Sequence, residues 1–156
     1  MFITKIKNGV IGGLAGGAVF GMMMAMMGML PMIGKMVGIP NALAGFVVHM
    51  AISASIGASF GVLLGSGVLT IATGLVRGGV YGMIWWVLGP LTLMPLMMGM
   101  GLGVNWNATA AANMLPSLMG HVIFGLVMGL VFAKLSSAGE SENAAEPKLS
   151  TVRGGA

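Results

Sequence analysis

Two histidines and 18 methionines are the residues of this chain best equipped for chemistry. Imidazole nitrogen and thioether sulfur are uncharged, and together they suit Cu(I). Mg and Ca call for oxygen ligands, and structural Zn calls for thiolate. The chain has no cysteine, which removes disulfides, thiolate metal sites and cysteine nucleophiles. Its three acidic residues, Glu140, Glu142 and Glu146, all lie near the C-terminal end. No carboxylate is therefore available in the apolar part of the chain, which argues against hydrolase, proton-relay and hard-metal chemistry there. Ser117/His121 and His49/Ser53 imitate a nucleophile and base, but no acid stands by to orient the imidazole, and no enzyme is expected.

The elements that must position these residues are written in the composition. Of 156 residues, 57% are hydrophobic and 6% charged, against about one-quarter charged in a soluble domain. Four stretches, at residues 10–30, 42–65, 74–98 and 114–134, approach or exceed the about 20 apolar residues that cross a hydrocarbon core as helix. The expectation is an all-α polytopic membrane protein, a four-helix transmembrane bundle over residues 1–135. The tail 136–156, rich in Ser, Ala, Gly and Glu, has little to bury and is expected to be disordered. Lys5, Lys7, Arg77, Lys134, Lys148 and Arg153 fall on one side of this plan and Lys35 on the other, so both termini are expected in the cytoplasm. The Lys5/Lys7 segment and first helix look like a signal peptide, but they have a counterpart later in the chain and are expected to be retained. Asn107-Ala108-Thr109 fits a glycosylation sequon and is taken as chance, in keeping with a bacterial or archaeal cell membrane. A net charge of +4 spread over helix ends is too sparse for nucleic acid.

The chain repeats itself. Gly13, Gly17 and Gly21 in the first helix match Gly74, Gly78 and Gly82 in the third, within the similar strings Gly-Gly-Ala-Val-Phe-Gly-Met (16–22) and Gly-Gly-Val-Tyr-Gly-Met (78–83). Asn41 precedes His49 by the same interval that separates Asn113 from His121, and each asparagine reads as an N-cap. The interval amounts to about 12 Å of helix, which puts both histidines at one level in the outer half of the bilayer. Below them run Ser53, Gly57, Gly61 and Gly65 in the second helix, and Gly125 and Gly129 in the fourth. Small residues at this spacing let helices approach closely in lipid, as glycine zippers. The expected plan is two tandem helix pairs related by an axis near the membrane normal. For a single buried histidine, a hydrogen bond to a nearby hydroxyl or carbonyl is the simplest role. Two at matched depth suggest a shared site.

All methionines except Met1, Met83 and Met128 fall in the outer half or the outer loops. Gap-filling alone would distribute them over both halves. Met23/Met27 and Met94/Met98 have the spacing that puts two sulfurs on one helical face. Locally these pairs resemble the Met-x-x-x-Met element of Ctr-type copper transporters, although the four-helix plan departs from that family's three-helix subunit. The first reading is thus a protein that binds or conducts Cu(I), with Met23, Met27, Met94 and Met98 as an outer funnel and His49 and His121 as inner ligands. The second is a small b-type cytochrome with haem b between the two histidines, which needs the helices splayed around a porphyrin. The third is an accessory subunit whose small-residue faces bind a second copy or a larger membrane complex. Pro90 and Pro95 should break the outer end of the third helix, and Trp106 could anchor its loop at the interface.

Overall fold

The computed structural model describes residues 2–66 and 70–153, and no strand occurs among them. The helices are α1 (Phe2–Met26), α2 (Leu30–Lys35), α3 (Ala42–Leu64), α4 (Ile71–Leu88), α5 (Met94–Met97), α6 (Ala108–Asn113) and α7 (Leu115–Arg153), with a π-helical turn at Gly89–Leu93 joining α4 to α5. Phe2–Met26, Ala42–Leu64, Ile71–Met97 and Leu115–Gly139 are long and apolar enough to cross a membrane, and the protein is an integral membrane protein.

Local chemistry explains where these helices start and stop. The first begins at Phe2 rather than near residue 10, since Lys5 and Lys7 are good helix formers. It ends at Met26 rather than Leu30, because Gly28 takes a left-handed turn at φ +67°. Asn41 caps α3, its side chain accepting from the Ala44 N–H at 2.8 Å. Asn41→Ala should therefore lower stability by about 1 kcal/mol, read as a lower melting temperature in detergent. An unchanged melt would show that the cap contributes nothing. The matching role expected of Asn113 is corrected: it ends α6, whose cap is Asn107, and α7 starts at Leu115 after a break at Met114. Pro90 lacks the N–H that an α-helix needs, and the chain widens there into the π-turn. The last helix passes Lys134 and is assigned to Arg153, so the backbone of 136–153 is helical where composition predicts disorder. Ala and Glu favour helix by intrinsic propensity. Residues 154–156 of that tail lie outside the described residues.

Helix α1 is the hub. Gly9, Gly13 and Gly17 lie against α3, where a methyl group at each would strike Gly57, Ser53 or both. Gly12 and Gly16 lie on another face, against the Met128 and Phe124 carbonyls of α7. In the other pair, Gly74 meets the Gly129 carbonyl, Gly78 that of Gly125, and Gly82 that of His121. Gly61 rests on the Lys5 carbonyl, while Gly65 stands at the C-cap of α3 beside Phe132. The partners run antiparallel, since low-numbered glycines meet high-numbered ones in each pair. The order across the molecule is α3, α1, α7, α4.

Helix α4 does not press on α3 as α1 does on α7: Gly12 and Gly16 of α1 lie on α7 backbone, whereas Gly74, Gly78 and Gly82 of α4 all lie on α7 and it is Arg77 and Tyr81 that reach α3. Long side chains span the gap instead. Arg77 donates to the Leu64 carbonyl at 2.9 Å and the Ser66 carbonyl at 3.2 Å. Ser59 donates to the Ile56 carbonyl, so the Tyr81 hydroxyl donates to Ser59 Oγ at 2.8 Å. Phe60, Met128 and Phe132 are completely buried in the half of the bundle nearer the termini.

Candidate metal-binding site

Both histidines sit in the distal half, away from the termini, and each is oriented by a backbone carbonyl. His49 on α3 faces α1, and its Nε2–H donates to the Gly17 carbonyl at 3.0 Å. A carbonyl can only accept, so in the neutral ring Nδ1 carries the lone pair. His121 on α7 donates Nδ1–H to the Ser117 carbonyl of its own helix at 2.8 Å, with Ser117 Oγ 3.4 Å from the same nitrogen. Its lone pair is then on Nε2, on the side of Gly89 and the π-turn. An imidazole pinned through one nitrogen with the other left as a base is how proteins prepare a histidine for a metal.

The two rings are brought to one level, but not into contact. Their common level is set by one residue of α1, since the ring of Phe20 packs against both imidazoles. Between the imidazoles stands Phe20, edge-on to His49 with ring centroids 5.5 Å apart and to His121 with centroids 4.9 Å apart. Gly120 makes room for this ring, because any side chain there would overlap it. Close glycine crossings together with Phe20 leave no porphyrin-sized gap, so haem would require the helices to part.

The methionines are less converged than their spacing suggests. Met23 and Met94 are half-buried, whereas Met27 and Met98 are exposed, and none of the four shares the burial of His49. The one from the Met22–Met24 run that enters the core is Met24. Met50 places its sulfur beside Gly17, one helical step from the His49 hydrogen bond. No group of three or more His, Cys, Asp or Glu able to hold a metal occurs among the described residues, so a metal here would depend on sulfur as well as imidazole. Sequence reasoning missed Phe20 and Gly120. The available signals were the position of Phe20, which matches Tyr81 in the second string, and a glycine immediately before His121.

No protein-family model matches this sequence, and comparison with curated proteins and with solved structures likewise finds no match.

Proposed function

We propose that this chain is a tandem pair of helix hairpins, joined by glycine-zipper contacts, that binds Cu(I) in the distal half of the bilayer. The observation that carries the proposal is the preparation of both imidazoles: each gives its N–H to a backbone carbonyl and keeps a lone pair on the opposite nitrogen. Thioether sulfur is the other donor at that level, and carboxylate and thiolate are absent from it. Support for the repeat comes from like contacts in the two hairpins, since Gly9 and Gly13 lie on the Gly57 and Ser53 carbonyls as Gly74 and Gly78 lie on those of Gly129 and Gly125. The side chains of Phe60, Met128 and Phe132 fill the bundle below the histidines, which favours holding an ion over passing it in this conformation. Exposed Met27 and Met98 would capture copper, and Met23 and Met94 would pass it inward. The test is metal analysis of the detergent-purified protein after anaerobic loading with Cu(I), with an optical spectrum alongside. Bound copper without a Soret band is the expected result; a Soret band would establish the cytochrome reading instead.

The distal half faces away from the cytoplasm in this proposal, because the basic residues gather at the other end. Reporters active only outside the cytoplasm should be silent when fused at either terminus, and activity at either would reverse the orientation. A second reading, an accessory subunit or self-associating protein, is favoured by the third span, of which only 22% is buried, the least of the four. Its exposed Val76, Val80 and Ile84 are then covered by a partner rather than by lipid.

A further inference from the structure

The two distal loops are built on opposite principles. The first carries Lys35 and is folded back on the bundle: Leu30 is buried, its carbonyl lies against Gly45, and Gly34 lies against the carbonyls of Ile39 and Asn41. The second, between α5 and α6, has nothing folded over it. Gly99, Gly101 and Gly103 all take positive φ, at +74°, +97° and +78°, and between and after them Met100, Leu102, Val104 and Trp106 are exposed. Glycine alternating with a large apolar residue is a costly way to build a solvated loop. No charged residue occurs anywhere from Gly78 to Ala133.

We propose that the loop of residues 98–107 lies in the membrane interface at the distal end, with its apolar side chains in the acyl chains of that leaflet and Trp106 at headgroup level. The occupant of this surface is lipid because the surface is continuous with a lipid-facing one: Val87, Leu88, Leu96 and Met97, on the span that leads into the loop, are all exposed and uncharged. Depth follows from the backbone. Gly99 N–H donates to Leu96, Met100 N–H to Pro95 and Trp106 N–H to Gly103, and the Asn107 side chain donates to the Val104 carbonyl. An irregular loop with only some of its groups paired in this way cannot enter hydrocarbon fully, but it can sit where headgroups and water satisfy the remainder. Trp106 is fixed at that border by its own hydrogen bond, Nε1–H to Thr92 Oγ1 at 3.1 Å, and indole prefers such a boundary. Beneath it an open groove of about 560 Å³ runs between Val87, Leu91 and Ala111, with Asn105 and Asn107 at its rim. In this placement an acyl chain fills the groove.

The absence of cysteine makes a direct test simple. Leu102→Cys and, as a control at the same end, Lys35→Cys are labelled with a nitroxide in the full-length protein in phospholipid vesicles. Collisions with molecular oxygen, which concentrates in lipid, are compared with collisions with a water-soluble nickel chelate. The label at 102 should be relaxed mainly by oxygen and the label at 35 mainly by nickel. A nickel-dominated label at 102 would put the loop in water, and shielding from both reagents would mean that protein covers it; either result overturns the proposal. Quenching of Trp106 by lipids brominated near the headgroup, in a Trp85→Phe/Trp86→Phe background, provides a second measurement free of the label. Trp106 quenched by an aqueous ion and not by those lipids would also overturn it.

Discussion

Gly78→Leu should be strongly destabilising, by about 3 kcal/mol or more, the top of the range for overpacking. A methyl group at Gly78 meets the Gly125 carbonyl, with the Gly129 Cα also in contact, so only backbone could give way. Relief requires α4 and α7 to separate along their length. Its neighbour Gly79 supplies the control: there the nearest atoms belong to the Leu126 side chain, the closest 3.3 Å away, and that side chain can turn aside. Gly79→Leu should cost less than about 1 kcal/mol. Gly17→Leu should fall between them, because its obstacles are the Ser53 side chain and the Met50 sulfur, which are softer than a helix backbone. Thermal melts of the three variants in one detergent decide the matter. Equal melts for Gly78→Leu and Gly79→Leu would mean that the α4–α7 crossing is not the close one described.

The ordering of those three variants also marks what could be read from the sequence. Four spans were legible because an uncharged apolar run of helical length is at home in a bilayer and in little else. The spacing of Gly13, Gly17 and Gly21 was legible as a helix face, but spacing does not reveal which neighbour the face meets or how hard it presses. Gly12 and Gly16 escaped notice because they interleave with that row, one position earlier in each case, and a second face on one helix becomes apparent only once α7 is seen against it. Asn113 was misread because Asn107, six residues earlier, performs the same capping chemistry on the separate short helix α6. The site was less legible than the fold. Composition put imidazoles and sulfurs at one level, but the hydrogen bonds that choose each ring's free nitrogen come from Gly17 and Ser117, and a carbonyl acceptor has no signature in a side-chain alphabet.

The difference between the two seams has its own physical consequence. Where α1 offers glycine to α7, α4 offers Arg77 and Tyr81 to α3, so one seam is closed by backbone contact and the other by hydrogen bonds from long side chains. The second seam can lengthen by rotamer changes; the first cannot. Any motion that admits an ion to the histidines is therefore expected between α3 and α4, with α1 and α7 remaining together.

Loss of either imidazole should abolish most Cu(I) binding. A metal–imidazole bond is about 2 Å long, so one ion shared by both rings needs their ligating nitrogens within about 4 Å of each other. Phe20 now stands between them, in contact with both. For His49 and His121 to act as a pair, that ring must swing aside, and Phe20→Ala should then leave Cu(I) affinity intact or raise it. His49→Ala and His121→Ala should each remove most binding, and the double variant should add little, because ligands of one site are not additive. Acidification should weaken binding, since a protonated imidazole has no lone pair for the metal. Met23→Ala and Met94→Ala should weaken capture more gently, as thioethers do not titrate and other sulfurs stand nearby. Competition against a chromogenic Cu(I) chelator under anaerobic conditions measures all of these. Two separate sites, one at each histidine, would appear instead as a loss of half the stoichiometry in each single variant and all of it in the double. Full binding retained by each single variant would remove the shared histidine site, and a parent protein that binds neither copper nor haem would leave the accessory-subunit reading in its place.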